Sequence, residues 1–237
     1  MPDVTLKPVV FLDFDGTISR VDVVDDILDR YADPLWERIE REWKAGRIGS
    51  RACLAGQIAL VRATEIEIDA LLDEVQIDRG FITLLSACDA AGSRSHIVSD
   101  GFDYCIGRIL RQVPPSHQEL LAAVSVHASH LESEGQGRWK TAFRHMDSEC
   151  EHGCATCKPA VMAALNSAGA PSIFVGDGLS DRYAVGVADI VFAKDKLATY
   201  CIEQGIAFHR YDTLADVAAF VSASTTVAGF RETHEYR

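Results

Sequence analysis

The 237-residue chain has no run of lysine or arginine, and its 35 acidic residues outnumber its 23 basic ones to give a net charge of −12. That balance argues against a nucleic-acid footprint and predicts no nucleic-acid partner. No apolar stretch approaches ~18 residues, so no membrane-spanning helix is expected. Met1-Pro2-Asp3-Val4 lacks the basic and long apolar regions of a signal peptide. The cysteines do not come as an even set: there are seven, in a chain too long to depend on disulfides. Cys53, Cys88, Cys105 and Cys201 are scattered through apolar patterns and read as small core residues. A reducing, cytoplasmic location is the expectation. Internal repeats and low-complexity linkers are also missing.

What is present is organised around Val9-Val10-Phe11-Leu12-Asp13-Phe14-Asp15-Gly16-Thr17. The apolar run predicts a buried strand. Residues i and i+2 of a strand share a face, so Asp13 and Asp15 project together near its end. Ligands of open α/β sheets bind at that end. Two carboxylates held side by side call for a cation.

Four helical patterns follow: Val23 to Tyr31, a second opened by Pro34 and carrying Trp36, Ile39 and Trp43, a third with Leu54, Ile58 and Val61, and a fourth with Ile68 to Val75. An ordinary βαβ crossover is far shorter, so residues 19–80 read as a helical unit inserted after the first motif. Beyond Gly80 strands and helices alternate. Ser95 to Ser99 forms a strand ending at Asp100-Gly101, a β-hairpin turns at Glu134 to Gly137, and a helix starts at Lys158-Pro159. Ser172 to Val175 is a strand ending in Gly176-Asp177-Gly178-Leu179-Ser180-Asp181, and Ile190 to Ala193 is the next. Thr213 with Asp216 suggests a capping box for a last helix, and residues 222–237 are expected to fray. The fold class is therefore α/β: a mostly parallel sheet with helices on both faces, plus the inserted helices.

If the strands are parallel, Asp13, Asp15, Ser99, Asp177 and Asp181 meet at one sheet edge. Carboxylates from two strands make a hard-oxygen site suited to Mg²⁺. Ser99, Lys158 and backbone N–H groups near Gly16 and Gly101 offer donors to an anion. Metal, anion donors and paired carboxylates suit phosphoryl transfer.

Asp-x-Asp-Gly-Thr, a strand-ending Ser, a later Lys and Gly-Asp-Gly-x-Ser-Asp, in this order, resemble the four motifs of the haloacid dehalogenase superfamily. The helices after the first motif resemble the C1-type cap of its phosphoserine-phosphatase-like branch. Cys150-x3-Cys154-x2-Cys157-Lys158-Pro159, the run Asp189 to Asp195 and the stretch to Tyr211 further resemble the 2-hydroxy-3-keto-5-methylthiopentenyl-1-phosphate phosphatases of methionine salvage. The resemblance implies a Rossmann-like catalytic core (residues 1–18 and 81–237) under a helical cap (19–80). It implies Mg²⁺-dependent hydrolysis of a small phosphorylated metabolite through an aspartyl-phosphate. By the same resemblance Asp13 is the nucleophile and Asp15 the general acid, then base. Asp13, the Asp15 carbonyl and Asp177 are metal ligands, and Asp181 supports the metal. Ser99 and Lys158 bind phosphate, with Gly16 and Asp100 beside them; Thr17 belongs to the motif without a defined role. Relatives often carry Ser-Gly-Gly where this chain has Ser99-Asp100-Gly101. The extra carboxylate is expected to stand at the mouth and disfavour anionic substrates such as phosphoserine. A phosphoserine or other small-ester phosphatase is the alternative enzyme. A non-catalytic phosphate-binding regulator is the alternative of another class, and it would be expected to lack Asp13, Asp15 or Lys158.

Each motif also has a plainer reading. Asp-x-Asp alone is common at strand ends, a lone Ser99 is more often a turn serine, and Asp181 could cap a helix. Asp22 reads first as a helix N-cap. Trp36 and Trp43 read first as core of the inserted helices and second as pocket lining, and Phe81 and Trp139 as core. Cys150, His152, Cys154 and Cys157 could bind zinc or do thiol chemistry, or only shape the loop that orders Lys158.

Overall fold

The computed structural model describes residues 7–226; Met1 to Val4 and the tail past Thr226 lie outside the described residues. β1 (Val9–Leu12) is buried at all four positions because it is the middle of the sheet. It pairs in parallel with β2 (Arg94–Phe102) on one side and with β5 (Ser172–Gly176) on the other. Beyond β2 stands β3 (Ser125–Gly135), whose first residues run parallel to β2 and whose later ones form a hairpin with β4 (Arg138–Ala142). Beyond β5 stand β6 (Ile190–Ala193) and β7 (His209–Arg210), both parallel. The seven-stranded order is β4-β3-β2-β1-β5-β6-β7, and only the β3–β4 pairing is antiparallel. The chain builds outward from β1 to one side and then crosses to the other. The crevice between the ends of β1 and β5 is therefore the switch point where such sheets bind ligands.

Five helices lie between β1 and β2, and the first four are α1 (Val23–Tyr31), α2 (Trp36–Lys44), α3 (Ser50–Ile58) and α4 (Glu65–Glu74). α1 begins because Asp22 accepts from the Asp25 N–H, and it buries Val23, Val24, Ile27 and Leu28 on one face. α4 opens with a Thr64–Glu67 capping box. Val61 falls outside α3 and forms an isolated bridge with Ala32, because the helix has already turned at Ala59 to Leu60. The segments before α1 and after α4 lie antiparallel to each other. Asp78 N–H donates to the Ile18 carbonyl (2.7 Å) and Arg20 N–H to the Gln76 carbonyl (3.0 Å), with a bridge between Ser19 and Ile77. Trp139 Nε1 donates to the Ala63 carbonyl (2.8 Å), tying the β3–β4 hairpin to the same helices. The inserted helices share one apolar cluster with the sheet, through Ile27, Leu72, Phe81 and Phe102 among others.

The remaining helices cover the sheet: α5 (Phe81–Ala91), α6 (Asp103–Leu110), α7 (Gln118–Ala122), α8 (Lys158–Leu165), α9 (Asp195–Gln204) and α10 (Leu214–Thr226). α7 has no counterpart in the sequence reading; at five residues it is too short to show a period. β2 runs on through Asp100 and Gly101 to Phe102, past the expected stop. Ser222 to Thr226 continue α10 rather than fray, since that helix packs along α5 through Leu214, Val217 and Val221. Asp216 accepts from the Thr213 N–H as a cap, and buried Asp78 accepts from Gly80 and Leu214 N–H groups, joining the starts of α5 and α10. No helix among the described residues is long and apolar enough to cross a membrane.

Candidate active site

Asp13 leaves the end of β1 with its side chain buried. Its N–H donates to the Val175 carbonyl (2.9 Å), which continues the sheet one residue further and holds the carboxylate at the switch point. Lys158, the first residue of α8, is 2 % exposed. Its Nζ lies 2.9 Å from Asp13 Oδ1 and 2.5 Å from Asp181 Oδ1. Burial alone would lower the lysine pKa, but Asp13, Asp181 and Asp100 together hold it above its ordinary value. The ammonium therefore stays charged and offsets two carboxylates that could not otherwise share so dry a space.

Both oxygens of Asp181 are taken. Oδ1 accepts from Lys158, and Oδ2 accepts from the Asp177 and Gly178 N–H groups, each at 3.1 Å. Asp177 is held by Thr17, whose hydroxyl donates to Oδ1 at 2.8 Å. Burial and Asp13 push the Asp177 carboxyl up to about 7, against the pull of Thr17. Tyr211 stands behind this pair: its hydroxyl lies 3.3 Å from Thr17 Oγ1 and donates to the Gly176 carbonyl (3.2 Å). In the sequence Tyr211 stands only at the end of a stretch that carries the resemblance. Nothing in its local pattern signals a hydroxyl that reaches across 194 positions to Thr17.

Asp15 Oδ1 accepts from the Val23 N–H (3.1 Å), so the second motif carboxylate also anchors the start of α1. Burial, then Asp22 and Asp13, raise its pKa well above the ordinary carboxylate value. Gly101 makes room for it, since a Cβ there would lie 2.2 Å from Asp15 Oδ2. Gly16 takes φ +73°, and a Cβ there would lie 2.3 Å from Asp177 Oδ2. Ser99 Oγ accepts from the Gly101 N–H (3.0 Å), which leaves its own proton to donate elsewhere.

Asp100 lines the cavity, where the sequence reading expects it, and is engaged there by other groups. Its Oδ1 accepts from the Thr156 N–H (3.0 Å), and its carboxylate also bonds the Ser50 hydroxyl. The side chain thus joins the loop before α8 to the N-terminus of α3.

The donor chemistry fits a divalent cation. Asp13, Asp177 and Asp181 offer carboxylate oxygens within 4.8 Å of one another. Asp13 Oδ1 is buried with no hydrogen-bond partner, since its lysine contact is ionic without hydrogen-bond alignment. A buried unpaired acceptor is costly, and a hard cation would satisfy it. Asp13, Asp177 and Asp181 are the side chains that could hold the ion, with Asp181 also engaged by Lys158 and two backbone N–H groups.

The group opens into a cavity of about 410 Å³ lined by Asp13, Asp15, Gly16, Ser99, Asp100, Gly101 and Asp177 from the sheet edge. The inserted helices and the segment before them contribute Val21, Asp22, Val24, Asp25, Glu40, Trp43, Leu54 and Gln57. Trp43 therefore faces the pocket, while Trp36 packs against the core. Asp22 both caps α1 and lines the pocket. Phe81 and Trp139 are buried in the core. Lys158 lies behind the wall through its two ion pairs.

The chain is 27% identical over 215 residues, 90% of each chain, to the 2-hydroxy-3-keto-5-methylthiopentenyl-1-phosphate phosphatase of Bacillus pumilus. It is 28% identical over 216 residues to the protein of that name from Geobacillus kaustophilus, covering 90% of this chain and 94% of that one. Its fold is similar to a solved phospho-aspartyl intermediate analogue of phosphoserine phosphatase (TM-score 0.67, 16% identity, 91% of this chain and 99% of that one). A substrate-bound phosphoserine phosphatase complex is similar to the same degree (TM-score 0.68, 16% identity, 90% and 98%). Residues 10–185 match the family model of haloacid dehalogenase-like hydrolases, and the chain belongs to that family.

Proposed function

We propose that the protein is a Mg²⁺-dependent phosphatase of a small, neutral-ended phosphate ester. The observation that carries this reading is the Asp13 carboxylate, which lines a 410 Å³ cavity and is ion-paired with Lys158 (2.9 Å). A carboxylate that lines the cavity and is backed by a fixed cation is suited to attack an anionic phosphorus centre. In the proposed reaction Asp13 takes the phosphoryl group as an aspartyl-phosphate. Asp15, in its desolvated place beside Gly101, gives the leaving alcohol its proton and later takes one from the attacking water. Ser99, Lys158 and the backbone around Gly16 hold the phosphate oxygens. The bound Mg²⁺ would supply charge neutralisation between enzyme carboxylates and phosphate.

Residues 19–80 are proposed as a cap over a core formed by residues 1–18 and 81–237. The antiparallel pairing at Ile18–Arg20 and Gln76–Asp78 suits a hinge, and the cavity walls contributed by Val24, Glu40, Trp43 and Leu54 suit a specificity lid. Three carboxylates at one side of the pocket are proposed to disfavour an acidic leaving group. Asp22, Asp25 and Glu40 line it there, Arg20, Lys44, Lys194 and Lys196 line it as well, and Glu40 is paired with Lys44 (3.0 Å). Burial, Asp22 and Glu40 push the Asp25 carboxyl up to about 7, a sign of crowded negative charge. Val24, Trp43 and Leu54 offer apolar surface instead, which suits a thioether-bearing end. The keto-enol phosphate named for the relatives has that chemistry, and it is the proposed substrate. A reducing, cytoplasmic location accords with seven free cysteines.

The test is a steady-state screen over phosphorylated metabolites. The keto-enol phosphate should be hydrolysed with a kcat/KM about tenfold or more above that of phosphoserine, as one to two unfavourable charge contacts would produce. Comparable values for the two would remove the selectivity argument, and no phosphate release from any ester would favour the phosphate-binding regulator. EDTA should abolish turnover and Mg²⁺ restore it; activity indifferent to both would remove the metal.

A further inference from the structure

Asp177 is held in the site by a chain of hydrogen bonds whose far end lies in the last part of the molecule. Tyr211 follows β7 directly, and its backbone is fixed on both sides. On one side Arg210 pairs with Ala193 of β6. On the other the Asp212 N–H donates to Asp216 (3.0 Å) in the first turn of α10. The tyrosine is 2 % exposed, and the Lys194 ammonium stands 5.1 Å from the centre of its ring. Held in this way, its hydroxyl falls between the Gly176 carbonyl (3.2 Å) and Thr17 Oγ1 (3.3 Å).

The protons of this chain can be assigned one by one. Thr17 has a single hydroxyl proton and gives it to Asp177 Oδ1 (2.8 Å). Toward Tyr211 it can then only accept. The Gly176 carbonyl can also only accept. The Tyr211 hydroxyl is therefore the donor to both, and donation runs one way, from Tyr211 to Thr17 to Asp177. Hydrogen bonds in series strengthen one another. Thr17 is buried, so bulk water does not stand in for the tyrosine. The other contacts of Asp177 hold its backbone: its N–H donates to Asp181 Oδ2 (3.1 Å), and its carbonyl accepts from the Leu197 N–H (2.8 Å). Thr17 thus orients the carboxylate, and Tyr211 orients Thr17.

We propose that Tyr211 is a positioning residue for the metal: acting through Thr17, it sets the orientation in which the Asp177 carboxylate receives a divalent cation. It touches neither the ion nor the substrate. A group that holds a metal ligand from behind is worth about 10- to 100-fold in metal affinity. This deepens the proposed function and rests on its assignment of Asp177 to the metal, not on the hydrolysis of any particular ester.

The test is Mn²⁺ binding to the metal-free full chain, read from the paramagnetic resonance of the free ion. Mn²⁺ favours the same oxygen donors as Mg²⁺. Tyr211→Phe removes one oxygen atom and leaves the ring, and it should weaken Mn²⁺ binding about 10- to 100-fold. The half-saturating Mg²⁺ concentration for hydrolysis of an aryl phosphate should rise by a similar factor. Thr17→Val should weaken Mn²⁺ binding at least as much, and Thr17→Ser, which keeps the hydroxyl, should bind it close to the parent. The double variant Tyr211→Phe/Thr17→Val should bind no more weakly than Thr17→Val alone, because both changes act along one chain. A Tyr211→Phe variant with a lowered melting point and unaltered Mn²⁺ affinity would make the tyrosine a core residue only and overturn the proposal. Additive losses in the double variant would overturn it as well. Unaltered Mn²⁺ affinity in Thr17→Val would do so however Tyr211→Phe folds, and so would a parent that binds no Mn²⁺. The binding comparison is made without substrate, so it decides the role of Tyr211 even if no ester is hydrolysed, and the failure of this inference and of the phosphatase reading are told apart.

Discussion

Asp13→Asn is expected to lower phosphate release by about 10³-fold or more, because an amide oxygen is a poor nucleophile and no second group stands in its place. The neighbouring carboxylates do not substitute. Asp181 spends both oxygens on Lys158 and two backbone N–H groups, and Asp15 is tied to the Val23 N–H. The change preserves shape, and Lys158 keeps its 2.5 Å pairing with Asp181. The variant should therefore fold, with a far-ultraviolet spectrum and melting point near those of the parent. Steady-state release from an aryl phosphate, measured alongside thermal melting, separates lost chemistry from lost fold. A folded variant with most of the parent's kcat would show that Asp13 is not the nucleophile.

Lys158→Met should harm stability and activity together. The lysine stem fills a dry space beside Phe174, and methionine replaces most of that volume. What it cannot replace is the charge between Asp13 and Asp181. Removing one partner of a buried ion pair costs about 3–5 kcal/mol because the remaining charge is stranded. Urea unfolding should report a loss of that order, with an unchanged slope. Turnover should fall about 10²–10³-fold at denaturant-free conditions, since a fixed cation at the phosphate is gone. A loss below about 1 kcal/mol would mean that the carboxylates simply take up protons and that the lysine contributes little to holding the site.

The sheet-edge residues were legible because chemistry and period coincided. Asp13 and Asp15 follow an unbroken apolar strand, and Asp177 follows another, so parallel pairing alone brings them to one edge. The helices α1 to α4 were legible from their apolar spacing. What was not legible depends on contacts far apart in the chain. Asp100 is expected as a negative charge at the mouth; that it also ties Thr156 to Ser50 only the packed loop reveals. Tyr211 closes the back of the Thr17–Asp177 pair from the far end of the molecule. The Glu40–Gln57 hydrogen bond (3.0 Å) joins α2 to α3 within the pocket, and neither residue carries a motif. α7 was missed because five residues show no period, and the end of α10 because a polar tail masks the apolar face above it.

The most direct test of the account is to trap the covalent step. The enzyme mixed with substrate and Mg²⁺, quenched in acid within one turnover and reduced with borohydride, should carry the reduced residue at position 13 and at no other carboxylate. A peptide map showing modification at Asp15 or Asp177, or turnover with no trapped carboxylate at all, would contradict the proposed reaction.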